Sequence, residues 1–141
     1  MRHYATLTNR LYIRNIVYVT DERLHNVRKI TPAGVVTTLA GGRTGVPGYA
    51  DGTGSAAQFN EPGPLAVDDA SNVYVADRGN HVIRRITPAG VVSTLAGTPG
   101  VAEISLGMAP RFTGPEGLAI IGDSIIITDV NAILVLRHGA R

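Results

Sequence analysis

The heptapeptide Ile-Thr-Pro-Ala-Gly-Val-Val occurs twice in this chain, at positions 30–36 and 86–92, and its surroundings recur with it. Asp21 and Asp77, Arg28 and Arg84, Ile30 and Ile86, and Leu39 and Leu95 each stand 56 positions apart. Self-similarity at a period of about 50 residues narrows the choice to solenoids, propellers or stacked arrays. In such folds each unit leaves apolar faces that only a neighbouring unit covers.

The unit reads as short strands joined by tight turns. Ile16–Val19 is apolar at every position, which for so short a run indicates a strand covered on both faces. Asp21 to Arg23 make a turn, Leu24 to Thr31 the next strand, and Pro32-Ala33-Gly34 the next turn, with Pro setting φ and Gly supplying the permissive position. Val35 to Leu39 is the last strand. Upstream, Leu11–Ile13 reads as a further strand, with Arg14-Asn15 as a hairpin turn, and the segment at 3–9 resembles the tail of the repeat. Residues 43–61 form a long Gly-rich connection that Ala57 and Phe59 anchor in the core. A second unit restarts at Leu65–Asp68 and repeats over 72–97. A third, degenerate unit follows: Phe59 recurs as Phe112, Pro62 as Pro115, and residues 125–129 answer 73–77. A final strand is missing from it.

These signals predict an all-β chain of four-stranded antiparallel meanders stacked face to face, a β-propeller. The whole of 1–141 reads as a single partial propeller, with units at about 10–42, 62–97 and 115–137 and connections at 43–61 and 98–114. Seventeen Gly and eight Pro between apolar runs suit that fold, and no segment keeps a 3.6-residue period. The chain has no Cys, which excludes disulfides and thiolate chemistry, and a net charge of +2 permits an anionic partner without requiring one. With neither a continuous apolar leader region nor a run of membrane-spanning length, the chain is expected to be soluble, its compartment open.

Asn72–Ile86 resembles the NHL repeat, named for Asn-His-Leu and found in six-bladed β-propellers. Asn80-His81 carries its first two letters, with Val82 in the third place, and Asp77 matches the Asp that ends the second strand. Pro115-Glu116-Gly117-Leu118 looks like the family's lead-in to the innermost strand, and Gly48–Asn60 is similar to a recurrent loop subtype. The resemblance covers roughly 15–137. It departs at Leu24-His25-Asn26, at Asn131-Ala132 and at Pro64, which replaces the lead-in Gly. Three units do not close a ring, so the expectation is a fragment of a longer propeller or a homodimer that completes six blades, with 3–9 of one copy serving as the last strand of the other.

Residues that recur between units are expected to build them, as the Asp does in all three and the His in two, and the resemblance adds Asn80 to them. Asp21, His25, Asp77, Asn80, His81 and Asp129 are therefore read as structural hairpin residues, the carboxylates bonding amides of the following turn. Arg28, Lys29, Arg84 and Arg85 form a candidate basic stripe, which on an outer strand blunts the edge or binds phosphates, as some NHL propellers bind RNA. Tyr49, Asp51 and Glu116 do not repeat and are the candidate ligand face. No nucleophile elbow, phosphate loop or zinc motif is present, and no cofactor, metal site or catalytic residue is assigned. The leading expectation is a non-enzymatic binding or scaffold module that recognises a protein or a polymer, with no membrane partner. A lactonase- or lyase-like hydrolase with a channel metal near Glu116, which the resemblance implies as an alternative, and RNA binding stand behind it.

Overall fold

Three antiparallel sheets stand side by side in the computed structural model, which describes residues 3–6, 15–42, 44–102 and 111–137. The first sheet joins β1 (His3–Thr6), β2 (Val17–Asp21), β3 (Asn26–Ile30) and β4 (Val36–Gly41) in that order. The second contains β5 (Gly52–Thr53), β6 (Pro62–Val67), β7 (Val73–Asp77), β8 (Val82–Ile86) and β9 (Val91–Gly97), in the spatial order β5-β9-β8-β7-β6. The third joins β10 (Gly117–Ile121), β11 (Ser124–Asp129) and β12 (Ala132–Arg137). The strands β1, β6 and β10 converge on one side of the stack, where innermost strands of a propeller belong. The chain is an all-β partial propeller. No helix among the described residues is long and apolar enough to cross a membrane.

The middle blade shows why the units must stack. Side chains alternate across a strand, and every residue of β7 is buried. Val73 and Val75 enter one core with Tyr18, Val27 and Ala40 of the first blade, while Tyr74 and Ala76 enter a second with Ile125, Ile127 and Leu134 of the third. Phe59 lies in the first core and Phe112 in the second, both at most 1% exposed. Each aromatic ring arrives on the segment that leads into a blade and plugs the gap to the blade before it. The expected anchors Ala57 and Phe59 are both fully buried.

Several details differ from the sequence reading. The segment at the N-terminus is not a last strand: β1 pairs with β2 of its own chain, Tyr4 opposite Thr20, in the place that β6 takes in the second blade. Pairing with a strand a few residues downstream closes only a short loop, which costs less entropy than reaching a distant blade. The strand expected from Leu65 starts at Pro62, with a bulge between Pro62 and Leu65. Two prolines are tolerated there because β6 is an edge strand. The connection at 44–61 is not structureless; it contributes β5, which adds to the outer edge of β9, followed by a single 3-10 turn at Gly54–Ala56. The expected strand at Leu11–Ile13, together with Arg14, lies outside the described residues.

Candidate functional site

Arg84 is the hub of the interface between the first two blades. It sits on β8, opposite Val75 and Thr94, with its face turned toward the first blade, and it is fully buried. One guanidinium nitrogen donates to Asp77 Oδ2 at 2.8 Å and to the Gln58 carbonyl at 3.0 Å. The other donates to the Ala50 carbonyl at 2.7 Å and to Asp51 Oδ1 at 2.9 Å. The rings of Tyr49 and Phe59 lie 4.9 Å from its central carbon. A planar cation with a fixed fork of donors suits this task, since it pairs with two carboxylates and stacks on aromatic faces at once.

The predicted hairpin residues are each engaged, in more than one way. Asp21 Oδ1 accepts the amides of Arg23 and Leu24, as a turn-capping carboxylate does. Asp77 instead accepts the Asn60 amide at 2.8 Å and the Asn80 side-chain amide at 2.8 Å, in addition to Arg84. Asp129 accepts the amides of Thr113, Gly114 and Val130. The expected bond to the following turn is thus met at Asp21 and in part at Asp129. Asp77 and Asp129 also tie the strand end back to the segment leading into their own blade. Burial pushes the Asp77 carboxyl above its ordinary pKa, against the pull of Asn80, Asn60 and Arg84 toward the ionised form. Asn80 also donates to the Gly48 carbonyl at 2.8 Å.

His25 and His81 both adopt the left-handed backbone conformation, with φ of 51° and 61°. Each reaches across to the next blade rather than to its own Asp. The Glu61 amide donates to His25 Nδ1 at 2.9 Å, while His81 Nδ1 lies 2.7 Å from the Thr113 carbonyl, a bond in which the ring must donate. The same ring nitrogen therefore carries opposite roles in successive blades.

The basic stripe does not form as expected. Arg84 is buried rather than solvated, and Arg85, next to it on the strand, points to the opposite face. Adjacent residues on a strand cannot share a face, so four such side chains cannot line one surface. Arg28 and Lys29 hold the equivalent places on β3, opposite Val19 and Tyr18, and both are half-buried. The candidate ligand face divides in the same way. Tyr49 and Asp51 meet at the outer edge of the second blade: the Tyr49 hydroxyl lies 2.7 Å from Thr94 Oγ1, which also donates to Asp51 at 3.0 Å. Their bonds point inward. Glu116 stands apart at the start of the third blade, exposed, with its amide donating to the Thr128 carbonyl. Among the described residues no three His, Cys, Asp or Glu side chains converge in a way that could hold a metal.

A different feature opens to solvent. Between the second and third blades lies a cleft of about 620 Å³, lined by Val67, Asp68, Asp69, Asn72, Tyr74, Arg85, Leu95, Ile120 and Asp123 among others. Asp68 organises its floor. Its Oδ1 accepts the Asn72 amide at 2.8 Å, and its Oδ2 accepts the Asn72 side chain at 2.8 Å and the Tyr74 hydroxyl at 3.0 Å. Burial, and then the bond to Asp68, push the Tyr74 phenol up to about 12. Arg85 donates to Asn72 Oδ1 at 3.2 Å, while its Nε is buried without a hydrogen-bond partner. Asp69 and Asp123 sit exposed at the rim. Of these residues the sequence reading singled out only Arg85, for a basic stripe; the Asp68-Asp69 pair at a strand-ending turn was the other signal, and it reads like any turn.

Residues 59–86, from the buried Phe59 through β8, match the family model of the NHL repeat. The chain carries an NHL repeat. A segment of 71 residues, half of this chain, is 41% identical to SUPPRESSOR OF QUENCHING 1, a chloroplastic protein of Arabidopsis thaliana, of which it covers 6%. A segment of 87 residues, 61% of the chain, is 34% identical to NHL repeat-containing protein 2 of Bos taurus, of which it covers 12%. Among solved structures, a structural-genomics protein of unknown function from Bacteroides thetaiotaomicron superposes with a TM-score of 0.72 at 28% identity, over 81% of this chain and 30% of that one. The chain thus spans a small fraction of its curated relatives and under a third of that structure. Asp77, Asn80, His81 and Arg84 all fall within the matched NHL unit, and all four are bonded within the fold or across a blade junction.

Proposed function

We propose that this NHL-repeat chain is a non-enzymatic recognition module that takes a basic, extended segment of a partner protein into the cleft between its second and third blades. The cleft carries the reading. Among the described residues its rim and floor hold three carboxylates, Asp68, Asp69 and Asp123, against one guanidinium, Arg85, so acids outnumber bases in its lining on a chain of net charge +2. Val67, Leu95 and Ile120 supply an apolar wall for the stem of a lysine or arginine whose charged head reaches the rim. Clefts lined by one sign of charge concentrate opposite charge and speed encounter.

The test is fluorescence anisotropy with labelled oligolysine, with oligoglutamate as the control. Oligolysine is expected to bind, to weaken as salt rises, and to lose several-fold in affinity in the D69N/D123N double variant. Equal binding of oligoglutamate, or an unchanged affinity in the double variant, would overturn the reading.

A further inference from the structure

The segments that lead into the second and third blades share a pattern, Phe59-Asn60-Glu61-Pro62 and Phe112-Thr113-Gly114-Pro115, and each meets a histidine of the blade before it. Their first amides are bonded alike: Asn60 donates to Asp77 and Thr113 to Asp129, each at 2.8 Å. The next peptide group is turned over. In the third blade the Thr113 carbonyl faces His81, and the Gly114 amide donates to Asp129 Oδ1 at 2.9 Å. In the second blade the Glu61 amide faces His25, and the Asn60 carbonyl accepts the Gly79 amide at 2.8 Å. This leaves Glu61 with φ of 51°, whereas Gly114 has no left-handed φ. A non-glycine residue avoids that region, and a residue before proline is pushed toward extended backbone. What holds Glu61 there is an imidazole nitrogen acting as acceptor.

We infer that the peptide between Asn60 and Glu61 is a proton-operated switch at the junction of the first two blades. Imidazole is the side chain that changes charge between about pH 5 and 8. Neutral His25 accepts the Glu61 amide at Nδ1; once the ring is a cation, both its nitrogens only donate. The peptide then turns over to the arrangement of the third blade. The Asn60 carbonyl accepts from His25, the Glu61 amide donates to Asp77 Oδ1, and Glu61 leaves the left-handed region. Gly79 loses its acceptor, which makes its amide the reporter of the flip. The next junction does not respond, because His81 Nδ1 donates to Thr113 in either charge state. Among the described residues the charged groups that meet the switch are Asp21, Glu22 and Arg23 on the hairpin of His25, Glu61 opposite it, and Asp77, Arg78 and Arg84 on the second blade. Glu22 pairs with Arg78 at 3.7 Å. Burial raises the Asp77 carboxyl, so it is the other group there that can answer acid. The switch is separate from the cleft between the second and third blades, so the two readings stand or fall independently.

The test is an NMR titration of the nitrogen-labelled full chain from about pH 8 down to about pH 5. The Gly79 amide proton is expected to shift upfield as its hydrogen bond is lost, with the same midpoint as the His25 ring signals. The Glu61 amide should stay bonded throughout, and the Gly114 amide should show no upfield step. H25N has no titrating ring and tolerates left-handed backbone, and it should lose the Gly79 step. A Gly79 amide that stays fixed while His25 titrates overturns the proposal. So does a Gly79 step that survives in H25N, which would assign it to Asp77. A Glu61 amide that loses its bond over the same range also overturns it, since the ring would then let go without a flip. The wild-type titration decides by itself if H25N does not fold.

Discussion

Arg84 and Arg28 are one sequence position in two copies, and they answer substitution differently. Replacing Arg84 with Met removes the cation between Asp77 and Asp51 and leaves the fully buried Asp77 without its counter-charge. Breaking a buried pair in this way costs about 3–5 kcal/mol. Replacing the half-buried Arg28, which has no ion pair among the described residues, should cost under ~1 kcal/mol. Urea unfolding of the two variants measures the difference, and equal losses would mean that the network around Arg84 contributes little. Tyr74 offers a pH test. Folding raises its phenol from 10.0 to about 12, so the folded state favours the neutral form. The stability this contributes is intact below pH 10 and is lost as pH rises through the window from 10 to about 12. Absorbance titration should show the Tyr74 phenol, absent in Y74F, lagging to about 12. In D68N that residue should titrate earlier, because a hydrogen bond from the phenol to a carboxylate is lost.

Within the strands and turns, the two copies of Pro-Ala-Gly make a controlled pair. Gly34 and Gly90 have φ of 79° and 83°, a region that L side chains avoid. A Cβ at Gly90 would lie 2.8 Å from the Leu39 carbonyl oxygen of the neighbouring blade, whereas one at Gly34 meets nothing within 4 Å. G34A is therefore expected to cost about 1 kcal/mol from backbone strain alone. G90A should cost measurably more, because backbone of the first blade must move. Thermal unfolding of both variants reads the gap, and identical shifts would show that the blade junction yields freely. F59A and F112A should each cost about 3–5 kcal/mol, since each opens a cavity between two blades.

The stack of three blades ends in two unlike faces. On the third blade Ile133 and Val135 are 74% and 61% exposed, on the side of β12 away from Leu134 and the shared core. Exposed apolar residues in a row on one sheet face mark an association surface. I133K is expected to leave the thermal transition nearly unchanged, because the side chain it replaces is exposed, and a drop of several degrees in thermal unfolding would mean that Ile133 is packed.

The repeat, its strands and its stacking were legible without coordinates because they rest on local chemistry. Pro and Gly set the turns, alternation sets the faces, and Phe59 and Phe112 recur where a buried ring is needed. Copies compared with one another could also separate Asp77 and His81 as builders of the blade. Position in the stack, however, is not written in a repeated unit. Arg28 and Arg84 share sequence, turn and register, and one is half-open while the other is sealed, because a segment more than 20 residues upstream of Arg84 covers only one of them. The cleft of Asp68, Tyr74 and Arg85 was invisible for the same reason: its walls come from two blades, and its residues read singly as turn and strand. Burial, and with it the line between a sealed arginine and a partly exposed one, depends on which neighbour a blade has.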